Sequence, residues 1–170
     1  QLKSGSFIPE KNIIPAKLTE FNRRASRTDE KTFAIIQFEN IPSETEKQNL
    51  KQAGIELLEY IPNNAYTVTI TGGLNSSILL QTNARAVAAL TPEQKMEPLL
   101  AADKFPSWAV NVPGTIDVWI SFPKSFSFET VTKELRQRNM DIMASLYKNY
   151  RIISLRISSQ RLRELASLPF

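Results

Sequence analysis

Residues Phe33 to Ile70, FAIIQFENIPSETEKQNLKQAGIELLEYIPNNAYTVTI, carry the signals that set the fold. Thr32 to Phe38 is rich in β-branched and aromatic side chains and runs into the turn-like Glu39-Asn40-Ile41-Pro42, which predicts a buried strand. Ser43 followed by Glu46 is a capping box: the hydroxyl accepts from a free N–H at the helix start and the carboxylate returns a bond to the cap. The helix runs to Ala53 and stops at Gly54, because glycine takes the left-handed conformation without a Cβ penalty. Its apolar face is thin, mainly Leu50 and Ala53. Ile55 to Ile61 reads as a second strand, Pro62-Asn63-Asn64 as a turn, and Ala65 to Ile70 as a third strand. After Gly72-Gly73, Leu74 and Ile78 have the i, i+4 spacing of a short second helix, and Arg85 to Leu90 supplies a fourth strand. The order is βαββαβ.

The first four elements of that order, strand, helix, strand and strand, return in altered form from Ile116 to Ile157. Phe122 stands where Phe38 stood, and each is followed five residues later by a serine that starts a helix, Ser43 and Ser127. Asn139 falls opposite Gly54, and asparagine is the other residue that tolerates a left-handed cap. Asp141 to Leu146 matches the second strand, Tyr147-Lys148-Asn149 the hairpin, and Arg151 to Ile157 the third strand. Ser159 is placed to cap a final helix bearing Leu162, Leu165 and Ala166 on one face. The sequence stops at Phe170, where the fourth strand of this copy should begin, so either that strand belongs to a longer parent protein or the repeat does not extend to its end. The predicted fold class is therefore α+β, with two tandem ferredoxin-like βαββαβ units, each an antiparallel sheet with helices on one face. The predicted division is an extension over 1–31, a first unit over 32–96, a linker over 97–113 and a second unit over 114–170.

Residues 1–31 differ in character from the rest of the chain. Gly, Ser and Pro punctuate the opening to Pro15, and Lys17 to Arg27 places Leu18, Phe21 and Ala25 on one helical stripe that suits a helix packed on the first unit. The start at Gln1 rather than Met fits a boundary or a removed signal peptide equally. In the Pro-rich linker, Phe105 and Trp108 suggest a segment docked through its aromatics.

Composition narrows the chemistry. The chain has no Cys and no His, which removes disulfides, thiolate metal sites, the commonest general base and any Ser-His-Asp arrangement. Glu44 with Glu46, and Asp29 with Glu30, lie in polar surroundings that give no reason for a raised pKa. Ser76 and Ser77 lack an activating base, and Gly72-Gly73 has neither phosphate-loop nor dinucleotide spacing. Asn75-Ser76-Ser77 fits the glycosylation acceptor pattern, a short and weak signal. No catalysis, metal or cofactor is expected. The net charge of +4 is spread among nearly as many carboxylates, so no nucleic-acid footprint is expected, and no apolar run reaches membrane-spanning length.

Alternation assigns the sheet faces. Ala34, Ile36 and Phe38, like Val118, Ile120 and Phe122, should face the helices. The opposite sides carry Ile35, Gln37, Thr67 and Thr69 in the first unit, and Asp117, Trp119, Ser121, Ile152, Ser154 and Arg156 in the second. Exposed apolar groups there are either covered by the neighbouring unit or form a partner surface. An RNA-recognition domain has the same element order but needs aromatics on adjacent central strands, and Trp119 has no match on the third strand.

Ala34 to Phe38, the helix leading into Ala53-Gly54-Ile55, the Tyr60 to Tyr66 hairpin and Leu90-Thr91-Pro92-Glu93-Gln94-Lys95 together resemble the propeptide of subtilisin-like serine peptidases, particularly secreted bacterial ones of the Bacteroidetes type. The resemblance covers roughly Thr32 to Phe170 when both copies count. It implies a ferredoxin-like inhibitor whose sheet packs on the catalytic domain, whose tail enters the active-site cleft and which assists folding of the peptidase. The implied partner is that catalytic domain in the same parent chain, and the implied location is secreted, periplasmic or at the cell surface. Trp119, Ser121, Ile152, Ser154, Arg156 and the terminal Phe170 are then the candidate partner-binding residues. The alternative is an extracellular module that binds a protein or glycan with no peptidase partner.

Overall fold

The computed structural model describes residues 9–144 and 146–170. Residues 1–8 of the expected extension, and Ser145 of an expected strand, lie outside the described residues. The fold is α+β, with one four-stranded and one three-stranded antiparallel sheet in two ferredoxin-like units. The two compact units divide between Leu90 and Thr91.

In the first unit, α1 (Pro15–Arg24) precedes β1 (Lys31–Phe38), α2 (Glu44–Gln52), β2 (Ile55–Ile61), β3 (Ala65–Thr71), α3 (Ser76–Gln81) and β4 (Ala84–Ala88). The strands lie in the order β2-β3-β1-β4. The Ser43 and Glu46 capping box is formed in both directions. Gly54 closes α2 at φ +82°, donates its N–H to the Lys51 carbonyl and accepts from Thr71 through its own carbonyl. Asn63 and Asn64 both take left-handed conformations in the hairpin, as a tight turn between twisted strands requires. Ala34, Ile36 and Phe38 bury against Leu50 and Leu79, as the alternation predicts, and Leu18 of α1 joins the same core.

One expectation for this unit needs correction. Leu74 and Ile78 do not share a helix, because α3 starts only at Ser76. Leu74 is held before it by Asn22, whose side chain bonds both its N–H and its carbonyl, and the fully buried residue of α3 is Leu79. Asn75 caps the helix by accepting from the Ser77 N–H, so its side chain has a structural role.

The second unit comprises α4 (Pro92–Lys95), α5 (Pro98–Ala101), β5 (Thr115–Ser121), α6 (Phe128–Gln137), β6 (Asp141–Ala144), β7 (Ile152–Ser158) and α7 (Leu162–Ala166). Its sheet order is β5-β7-β6, which repeats β1-β3-β2 of the first unit with no fourth strand among the described residues. Asn139 ends α6 at φ +52°, the left-handed cap expected opposite Gly54. Val118 and Phe122 are buried with Val131, Leu135, Ile153, Leu155, Leu162 and Leu165. Ser159 does not cap the last helix. Its N–H bonds the Gly114 carbonyl at the end of the sheet, and the chain enters α7 through a 3-10 turn.

Met96 and Ala109 are buried in this same core, with Leu100, Ala101 and Phe105 packed against it, whereas Trp108 is 77 % exposed and does not dock. Lys95 donates to the Leu168 carbonyl, and burial pushes its ammonium pKa down to about 8. In the unfolded chain a lysine titrates at about 10.4. Between those values the unfolded state keeps a proton that the folded state has lost, so stability rises as pH climbs from about 8 to about 10.4. Urea denaturation of the Lys95→Met chain should show this rise abolished.

Candidate functional site

The sides of the two sheets that face away from their helices differ. In the first sheet Ile35, Thr69 and Ala86 are buried. In the second, Trp119 is 65 % exposed and Ser121 is exposed as well. This second face is the candidate site.

Register builds it row by row. β7 is the central strand, so a residue of β7 has a neighbour on either side. Arg156 stands between Asp117 and Asp141, Ser154 between Trp119 and Ala144, and Ile152 beside Ser121. Five of the six expected residues, Trp119, Ser121, Ile152, Ser154 and Arg156, therefore share one surface. Phe170 does not join them: its ring packs edge-on against Phe126 at 5.8 Å, on the core.

Arg156 is fixed in place by its neighbours on this face. Its Nε and Nη2 donate to the two carboxylate oxygens of Asp117 at 2.6 and 2.8 Å, and Asn111 Nδ2 donates to the same carboxylate at 2.7 Å. The bidentate bond from Arg156, and then the bond from Asn111, hold the Asp117 pKa down to about 2. An unfolded aspartate titrates at about 3.9. Because the folded value is the lower one, this contribution to stability is complete above about pH 4 and is lost as pH falls toward 2. Denaturant curves between pH 5 and 2 should show Asp117→Asn flattening that acid dependence.

The other half of the face is apolar. Trp119 lies against Tyr147 with ring centroids 5.2 Å apart and planes tilted by 47°, and Met143 is exposed beside a register shift in β6. Sequence reasoning missed Tyr147, which it placed in a hairpin. The pairing of Asp117 with Arg156 was implicit in the shared face assigned to both. Among the described residues, no helix is long and apolar enough to cross a membrane.

A family model described as "Domain of unknown function (DUF8729)" matches residues 1–91, just over half of the chain. The chain belongs to this family. No curated protein and no solved structure matches it. The DUF8729 match ends one residue past the point where the first compact unit ends. Membership therefore describes the first unit, and Trp119, Tyr147, Asp117 and Arg156 lie outside the matched residues.

Proposed function

We propose that this chain is the non-catalytic propeptide region of a secreted subtilisin-like serine peptidase, assisting folding of the catalytic domain and inhibiting it by docking through the open face of the second sheet. The observation that carries the reading is the exposed Trp119 and Tyr147 pair beside an arginine already fixed by Asp117. Aromatic anchors lose little conformational entropy on binding and dominate the energetics of protein interfaces. A guanidinium that is already oriented costs less to order when the partner arrives. Binding to the native catalytic domain and not to its unfolded chain stabilises the former by mass action, which is the physical content of a folding assistant.

Titration of a catalytically silenced subtilisin-like domain tests this. The combined Trp119→Ala and Arg156→Glu variant should bind about 30-fold or more weakly, the effect of losing an interface hot spot. Unchanged affinity would reject the proposal. A second reading rests on the same tilted aromatic pair, which also suits a glycan-binding face of an extracellular adhesion module. Saturable quenching of tryptophan fluorescence by sugars, without peptidase binding, would select that reading.

A further inference from the structure

The connection between the second and third strands is built differently in the two units. Between β2 and β3, Ile61 pairs with Ala65 across the short, uncharged Pro62-Asn63-Asn64. Between β6 and β7 the chain carries Leu146-Tyr147-Lys148-Asn149-Tyr150-Arg151, and all six of these residues are exposed. Leu146 is 84 % exposed and Tyr150 73 %. Reversing the chain does not require such side chains, since the left-handed Asn63 and Asn64 accomplish it in the first unit.

The loop is closed on itself. The N–H groups of Tyr150 and Ile152 both donate to the Tyr147 carbonyl, and the Arg151 N–H donates to the Lys148 carbonyl. Arg151 ends the 3-10 turn over Lys148–Tyr150 in a left-handed conformation, and its own carbonyl accepts from the Phe122 N–H at the end of β5. These backbone groups are satisfied within the protein, so the loop presents its side chains outward.

Charge singles out the same six residues. No Asp or Glu lies between Asp141 and Glu164, a stretch that holds five cations. Arg156 is paired with Asp117, Arg161 with Glu164, and Arg163 with Glu93 and Asp103. Lys148 and Arg151 form no ion pair among the described residues.

We infer that this loop binds the surface of an anionic lipid bilayer, with Lys148 and Arg151 at the lipid phosphates and Leu146 and Tyr150 at the boundary between headgroups and acyl chains. Tyrosine rings and apolar side chains beside cations suit that boundary, and each cation adds attraction to anionic lipid. Backbone groups already bonded inside the loop lower the cost of leaving water. A stable protein interface takes about 20–30 residues a side, far more than this loop supplies. An acidic peptide or a nucleic acid would engage the cations but give no apolar surroundings to Leu146, the most exposed large apolar side chain among the described residues. The inference is independent of the peptidase reading, because Tyr147 alone is shared with the docking face and every variant below keeps it.

Sedimentation of the 170-residue chain with lipid vesicles tests this. In about 0.1 M salt, where exposed charges act over about 10 Å, the chain should pellet with vesicles containing phosphatidylglycerol and stay in solution with pure phosphatidylcholine. Lys148→Gln with Arg151→Gln should weaken binding about 30-fold, at about fivefold for each charge. Leu146→Ser with Tyr150→Ser should weaken it about tenfold or more, because apolar burial also drives insertion. All four side chains are exposed, so circular dichroism should show the fold unchanged. Lys133→Gln with Arg136→Gln removes the same charge from exposed positions of α6 and should leave binding within about threefold. Four results would overturn the inference: no pelleting with anionic vesicles, a loss in the α6 variant as large as in the loop variant, binding that survives loss of the loop cations, or binding indifferent to the Leu146 and Tyr150 changes. The last, joined to equal affinity for soluble polyglutamate, would assign the loop to an acidic protein surface.

Discussion

Replacing Gly54 with alanine should destabilise the first unit by about 2–5 kcal/mol, from two causes that act together. A left-handed backbone costs a residue with a Cβ about 1–2 kcal/mol, and Gly54 sits at φ +82°. A Cβ there would also meet the Thr71 carbonyl oxygen at 2.8 Å, a backbone atom of the neighbouring strand that cannot swing aside. Forcing such a contact costs about 1–3 kcal/mol more. Gly72→Ala separates the two causes, because Gly72 has φ +73° and a methyl group added to it would meet nothing within 4 Å. It should lose only the backbone share, about 1–2 kcal/mol. Urea denaturation followed by circular dichroism reads both; equal losses would mean that the close approach to Thr71 contributes nothing.

The second large effect is expected at Leu155. This side chain is fully buried in the second core, among Val131, Leu135 and Ile153, at the middle of the central strand. Leu155→Ala should cost about 2–5 kcal/mol, the transfer term plus a cavity that packed neighbours cannot close. Ser154, one residue away, points to the open face opposite Trp119. Ser154→Ala should change stability by no more than about 0.5 kcal/mol. The contrast tests whether the period-2 alternation sorts core from candidate surface. Similar losses at the two positions would mean that the face at Ser154 is not open.

The same alternation made most of the architecture legible. Strand composition, the Ser43 capping box and the left-handed residues at Gly54 and Asn139 act locally, so they can be read without knowing the fold. Trp119, Ser121, Ile152, Ser154 and Arg156 were grouped correctly because register along unbroken strands follows from period 2. Tyr147 escaped because β6 shifts register between Ile142 and Ala144, and beyond such a shift counting residues no longer tells which side faces which. Ser159 misled because its N–H is taken by Gly114 in a tertiary bond that no local motif announces. Phe105 and Trp108 are three residues apart in an irregular segment, where no period indicates which ring turns inward.

The most direct test of the proposed function is the recovery of activity when a denatured subtilisin-like catalytic domain is refolded with and without this chain. The wild-type chain should raise the yield, and Trp119→Ala, which leaves the core untouched, should raise it much less. A yield that is the same with the wild-type chain, with Trp119→Ala and with no added chain would contradict a role as folding assistant.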